Sequence, residues 1–272
     1  MARRPALRLL VLVLLAVAAL AQKPAPAPAA AQDVITTNSR IIPLGAAPGA
    51  YKHPNGQTLV YDVEWRLWRA GTATIRLDAA GAEEKISGSA DSAGFVSLLY
   101  TVHDRFEAFF DAKTLCSRQI TKTTEEGFRK RQTQVHFDYA RRKAVLDEKD
   151  LKKGTAKHVE NDIPACATDV LSGLFYGASL PLEPNATYTF PLNDGGKTAD
   201  IKLTVEAREK IKTPAGEFNT VRVRPESLVG LVKSRGKIWI WYTDDAAHTP
   251  VQMRAKMAWG TLTFRLARWD KK

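Results

Sequence analysis

The sequence predicts an all-β fold: a large antiparallel curved sheet, or a partly open barrel or sandwich, of about a dozen strands with one short helix. Three observations predict it. Apolar residues recur with a period of two through most of 57–269. Turn residues punctuate the chain about every ten positions. No strand–helix–strand alternation of the kind a parallel sheet needs is present.

The elements follow in order. Leu59, Tyr61, Val63, Trp65 and Leu67 alternate with Asp62, Glu64 and Arg66, giving a strand one apolar and one polar face. Gly71 reads as the break of a hairpin, whose second strand alternates Ala73, Ile75 and Leu77 with Thr74, Arg76 and Asp78. Residues 84–92 form a weaker strand, 95–100 a buried strand or a short helix, and 105–110 another strand. Residues 115–124, 129–139 and 143–147 read as a three-stranded meander, with Val135, Phe137 and Tyr139 on one face of the middle strand.

The one helix falls within 166–177. Val170, Leu171, Leu174 and Phe175 make its apolar stripe; Thr168 or Asp169 caps its start and Gly177 closes it. Strands resume at 187–192 and 199–207, joined by Asn193-Asp194-Gly195-Gly196, where Asp-Gly and Gly-Gly suit a turn with positive φ. Thr213-Pro214-Ala215-Gly216 turns the chain into a strand carrying Phe218, Val221 and Val223. Strands at 237–242, 251–257 and 261–269 complete the sheet. The two halves, 57–160 and 165–269, read as one continuous curved sheet, so 57–272 is a single β-rich domain.

What precedes it reads as export machinery. Arg3, Arg4 and Arg8 precede an unbroken apolar run over 9–21, and Ala19-Leu20-Ala21 is a small-x-small cleavage site. The run is too short for the roughly 20 residues that span a bilayer. Residues 1–21 are therefore a signal peptide, with cleavage after Ala21 or Ala31. Residues 22–56 are a Pro/Ala-rich tether and a leader that drapes over the domain. The expected location is the periplasm or another extracytoplasmic space, with membrane association peripheral at most.

Removing Arg3, Arg4 and Arg8 lowers the formal net charge from +11 to +8. In that compartment a basic surface meets lipid head groups and wall polymers; nucleic acid is not an expected partner. Cys116 and Cys166 are an even pair in an oxidising compartment and form a possible disulfide. Closing that loop of about 50 residues is worth roughly 4 kcal/mol. The alternative is two buried thiols.

No catalytic or metal motif stands out. His53, His103, His136, His158 and His248 are scattered, without the close pairing of metal ligands. Ser172 lacks the G-x-S-x-G elbow, and Asp169 is explained by capping. Asp244-Asp245 is explained by turn chemistry. No cofactor, metal or catalytic residue is expected. The aromatic residues are more informative. Trp239 and Trp241 share one strand face while Ile238, Ile240 and Tyr242 share the other, so this strand needs cover on both sides. With Trp65 they are candidates to line an apolar groove. Arg129, Arg131, Arg141 and Arg142, with Lys130, Lys143, Lys152, Lys153 and Lys157, form a basic belt that adjacent strands would gather at one end of the meander, where it can hold a phosphate-bearing head group.

Four stretches are recognisable: YDVEWRLWRAGTATIRL at 61–77, TDVLSGLFYGASLPL at 168–182, IKTPAGEFNTVRVRP at 211–225 and KIWIWYTDDAAHTPVQMRAKMAWGTLTFRL at 237–266. They resemble the bacterial envelope family known as domain of unknown function 3108, over most of 57–269. The resemblance implies an exported, antiparallel β-rich fold with no established activity, and it carries over no catalytic residue. Family members continue the helix with an apolar-aromatic-aromatic run and an Arg; here Leu174-Phe175-Tyr176 is followed by Gly177.

The functional expectation is an exported, non-enzymatic envelope protein that binds an amphipathic or lipid-like ligand in an apolar groove. The alternatives are an assembly or scaffold protein acting through an envelope protein partner, and a hydrolase of lipid or glycan.

Overall fold

The structure, a computed structural model, describes residues 39–40, 51–66, 68–227, 236–257 and 260–271. The expected signal peptide, the expected Pro/Ala-rich tether and Leu67 lie outside the described residues.

Fifteen strands form one sheet. They are β1 (Ser39–Arg40), β2 (Gln57–Trp65), β3 (Trp68–Ala80), β4 (Glu83–Ser92), β5 (Val102–Asp111), β6 (Ser117–Glu126), β7 (Arg129–Asp138), β8 (Lys143–Asp150), β9 (Thr155–Asp162), β10 (Thr187–Asn193), β11 (Thr198–Thr213), β12 (Gly216–Ser227), β13 (Lys237–Thr243), β14 (Pro250–Met257) and β15 (Gly260–Asp270). Helix α1 (Gly94–Leu99) links β4 to β5, and α2 (Val170–Ser179) links β9 to β10. The order is β1-β10-β11-β12-β13-β14-β15-β2-β3-β4-β5-β6-β7-β8-β9. Every pairing is antiparallel except the two-residue β1–β10 contact. The two sequence halves join where β15 pairs with β2.

The sheet curls on itself, with α2 inside. Among the described residues, β9 meets the β10–β11 hairpin through hydrogen bonds that each involve a side chain. Asn193 Nδ2 donates to Asn161 Oδ1 at 2.6 Å, and Thr198 Oγ1 donates to Asp162 O at 2.9 Å. This seam closes one end of β9, while Thr155–His158 stays exposed at the other.

Helix α2 is the plug because its sequence permits burial all round. Nine of its residues, Leu171 to Ser179, are buried. Its start is fixed by a capping box. Asp169 Oδ1 accepts from Leu171 N at 2.7 Å and Ser172 N at 3.1 Å, and the Ser172 side chain answers to the Asp169 backbone N–H at 3.0 Å. Tyr242 OH donates to Leu174 O at 2.7 Å, tying β13 to the helix. Tyr51 and His53, from the leader, pack onto the core beside Phe110.

Three expectations are corrected. Gly177 does not end α2, which continues to Ser179; a Cβ there would stand 2.9 Å from the Tyr242 hydroxyl, so the glycine serves close packing. Gly71 is not the hairpin turn. That turn lies between Trp65 and Trp68, which become cross-strand partners, and Gly71 sits inside β3, where a Cβ would meet Asp91 O at 2.1 Å. Finally, of the two readings of 95–100 the structure takes the short helix, α1, and residues 155–162, which period-two alternation does not reveal, form strand β9.

Candidate functional site

The expected lining residues fall on different surfaces. Trp65 pairs with Leu262, in the row that continues through Ala255 to Ile238, and so belongs to the inner face. Trp239 and Trp241 belong to the outer face. Their indole N–H groups donate to Glu206 Oε2 at 3.1 Å and Glu209 Oε1 at 2.7 Å. Arg222 pairs with both carboxylates, and the Arg254 guanidinium sits 5.4 Å from the Trp241 ring centre. The second cover that β13 requires is therefore an ionic layer. These three tryptophans do not share a groove.

The arginines separate as well. Arg129 and Arg131 start β7, while Arg141 and Arg142 follow its far end, about 30 Å away at strand rise. Lys152 and Lys153 lie with the first pair, since Leu151 N donates to Lys130 O. Several are already paired: Arg131 with Glu148, Arg141 with Glu160, Lys130 with Glu125 and Lys143 with Asp162. The belt is two clusters, not one.

Cys116 and Cys166 are joined, with Cα atoms 5.1 Å apart. The bond pins the β5–β6 turn to the lead-in of α2. Beside it Asp169 Oδ2 accepts from Ser117 Oγ at 2.7 Å and from Ser172 Oγ at 2.8 Å. Tyr139 OH donates to Ser117 O at 2.7 Å. Both serine hydroxyls and two backbone N–H groups converge on this carboxylate, so the cluster anchors the start of α2.

A different group emerges on the inner face, where strand register builds two rows. One runs Tyr61, Ala73, Ala90, Asp104, Thr124, Arg131, Asp150. The next runs Leu59, Ile75, Gly88, Phe106, Lys122, Thr133, Glu148, Lys157. Each begins apolar; the first turns polar or charged from β5 onward and the second from β6 onward. The neighbouring row stays apolar: Leu77, Ile86, Ala108, Ile120, Val135, Leu146, Val159. The inner face thus has an apolar floor beside a charged patch near the mouth.

Burial grades along the patch. Asp104 is 0% and Lys122 7% exposed, whereas the side chains of Glu148 and Arg131 are 20% and 31% exposed. Asp104 Oδ1 accepts from Glu125 N at 3.0 Å, but Oδ2 has no partner among the described residues; neither has Arg131 Nε. Burial, and then the neighbouring Glu126, push the Asp104 carboxyl up to about 8. Burial also pulls the Lys122 ammonium down, against the attraction of Asp169, Asp194 and Glu148. Glu126 is raised by burial, opposed by Arg129 and Arg131. Unpartnered charged groups at such depth cost several kcal/mol each unless something compensates them. No cluster of His, Cys, Asp or Glu suited to a metal ion occurs among the described residues. No sequence signal singled out Asp104 or Lys122. The available one was parity: Lys122 stands two residues from Ile120, and Asp104 two from Phe106.

Comparisons with known proteins agree with this fold. The model of a family described as "Protein of unknown function (DUF3108)" matches residues 60–267. The crystal structure of a β-barrel-like protein of domain of unknown function DUF1849 from Brucella abortus superposes with a TM-score of 0.58 at 9% identity, covering 79% of this chain and 97% of that one. A candidate exported protein with a YmcC-like fold from Bacteroides fragilis covers 81% of this chain and 98% of its own at 11% identity, with a TM-score of 0.32. A candidate lipoprotein from Parabacteroides distasonis covers the same shares at 9% identity, with a TM-score of 0.27. The last two superpose too loosely to bear on the fold. No curated protein matches the sequence.

Proposed function

We propose that this chain, which belongs to the DUF3108 family of proteins of unknown function, is an extracytoplasmic, non-enzymatic module that binds an amphipathic, lipid-like ligand at the mouth of its curled sheet. One observation carries the reading. The inner face sets a charged patch, Asp104, Lys122, Arg131 and Glu148, beside an apolar strip, Ile120, Val135 and Leu146. An amphipathic molecule needs both surfaces in that order. Its polar end would satisfy the unpartnered Asp104 Oδ2 and Arg131 Nε, and its apolar end would lie toward the strip. The disulfide and the signal-like N-terminus favour an oxidising compartment. Scaffolding by strand addition is disfavoured, because the free edge β9 carries Lys157, His158, Glu160 and Asp162, charges of the kind that blunt edge pairing.

The test is mass spectrometry of organic extracts from the mature protein, purified gently from its native envelope. A stoichiometric amphipath in the wild-type extract, depleted from an Arg131→Gln/Lys122→Met variant with an unchanged melting midpoint, supports the reading. A clean wild-type extract sinks it.

A further inference from the structure

The exposed large apolar side chains are unevenly placed. Among the described residues they are Trp68, Phe95, Leu98, Leu99, Phe128 and Leu151, with Phe128 94% and Leu98 82% exposed. They belong to four connections: the β2–β3 turn, the α1 link, the β6–β7 turn and the β8–β9 turn. In an antiparallel meander those four connections share one rim. They also touch in sequence around it. Ala93 N donates to Ala70 O at 2.9 Å, Gly127 N to Thr101 O at 2.8 Å and Leu151 N to Lys130 O at 2.8 Å. A Cβ on Gly127 would stand 2.8 Å from the Tyr100 ring, so the β6–β7 turn rests on the end of α1. The six side chains therefore stand along one rim as an apolar crest, although they are up to about 80 residues apart in sequence.

Cations flank the crest. Arg129, Lys152 and Lys153 are exposed; they attract Glu126, Glu125 and Asp150 but form no salt bridge with them among the described residues. Helix α1 is apolar on both sides: Val96 is buried, and Phe95, Leu98 and Leu99 face out where a surface helix usually presents polar residues. Exposed apolar tips beside unpaired Lys and Arg are the chemistry that inserts into the interface of an anionic bilayer and is held there by the head groups.

We infer that this rim docks on an anionic lipid surface, with Phe95, Leu98, Phe128 and Leu151 entering the interface and Arg129, Lys152 and Lys153 engaging the head groups. The rim is also the end at which the charged patch of the inner face opens. The docking inference rests on the crest alone and does not require the ligand reading.

The experiment is co-sedimentation of the mature protein with vesicles of phosphatidylcholine, alone or mixed with phosphatidylglycerol. Binding to the mixed vesicles is expected, weakening as salt is raised. A Leu98→Ser/Phe128→Ser variant should lose roughly tenfold or more of that binding, the scale set by withdrawing two large apolar side chains from the interface. A Lys152→Glu/Lys153→Glu variant should lose the preference for phosphatidylglycerol. Both variants should melt with the wild type, since all four side chains are exposed. Failure of the wild type to sediment, or equal binding by the rim variants, overturns the inference. So does a concentration-dependent dimer abolished by Leu98→Ser/Phe128→Ser without any vesicle binding, which would make the crest a protein interface. A lipid retained in organic extracts of a rim variant that no longer binds vesicles would separate the two readings.

Discussion

Replacing Asp104 by Asn tests whether the inner-face patch holds a proton at neutral pH. The carboxyl is fully buried, keeps one unpartnered oxygen, and is raised from its ordinary 3.8 to about 8. Between those values the unfolded chain ionises this group while the folded chain retains the proton. The unfolded state then binds fewer protons, so wild-type stability falls as pH rises from about 4 to about 8 and is level beyond. At pH 7 the interval is about 3 units, or about 4 kcal/mol at 1.36 kcal/mol per unit. Asn keeps the shape and a donor but does not ionise. Asp104→Asn is therefore expected to stabilise the protein by about 2–4 kcal/mol at pH 7 and by close to nothing at pH 4. The assay is urea unfolding of both proteins at pH 4, 5, 6, 7 and 8. A stability difference that does not change with pH, or one that shrinks as pH rises, refutes the assignment of a proton to Asp104.

Three further outcomes follow from the anchors around α2. Replacing both Cys116 and Cys166 by Ser should cost about 2–5 kcal/mol in denaturant unfolding, since the bond closes a loop with a sequence separation of 50. Gly177→Ala should destabilise by roughly 1–3 kcal/mol despite the better helix propensity of Ala, because its Cβ would crowd the Tyr242 hydroxyl at 2.9 Å and Leu203 at 3.3 Å; thermal melting reads it. Asp169→Ala removes the acceptor of Ser117, Ser172 and two backbone N–H groups at once. It should cost about 3 kcal/mol or more, read by equilibrium unfolding, and a loss below about 1 kcal/mol would mean that the cap does not anchor the helix.

The parts of the fold legible in the sequence are those where one strand face is buried. β2, β7 and β15 alternate because one side packs on the core, and the cap at Asp169 is local chemistry that needs no tertiary context. β9 escaped because most of it is exposed on both faces, which leaves no period for burial to impose. Gly71 misled for a related reason: close approach of Asp91 O and a turn both select glycine, and spacing does not distinguish them. The tryptophans of β13 correctly announced a need for cover on two sides. Whether a ligand, a sheet or ions supply it depends on Glu206 and Glu209, which come from β11, two strands before Trp239 in the chain. The charged patch was legible only as parity: Lys122 is in phase with Ile120 and Asp104 with Phe106, whereas an isolated charged residue normally faces water.

That inversion is the strongest argument that this end of the molecule has a task. Soluble β folds place charge outside and apolar bulk inside. Around α2 the chain obeys: the core is apolar, and polar groups such as Asp169 are saturated with donors. At the mouth both halves of the rule are reversed within one rim. Ionisable Asp104 and Lys122 are buried inside, while Phe95, Leu98 and Phe128 stand in solvent outside. The far rim shows no such reversal, since Arg141 is paired with Glu160 and no exposed large apolar residue lies there among the described residues. Stability alone favours neither feature, because a buried unpaired charge and an exposed aromatic ring both cost free energy. Their coincidence at one end of an otherwise regular sheet is what the two proposals share: an anionic lipid layer would offer both a surface for the apolar tips and a ligand whose polar end meets the interior groups.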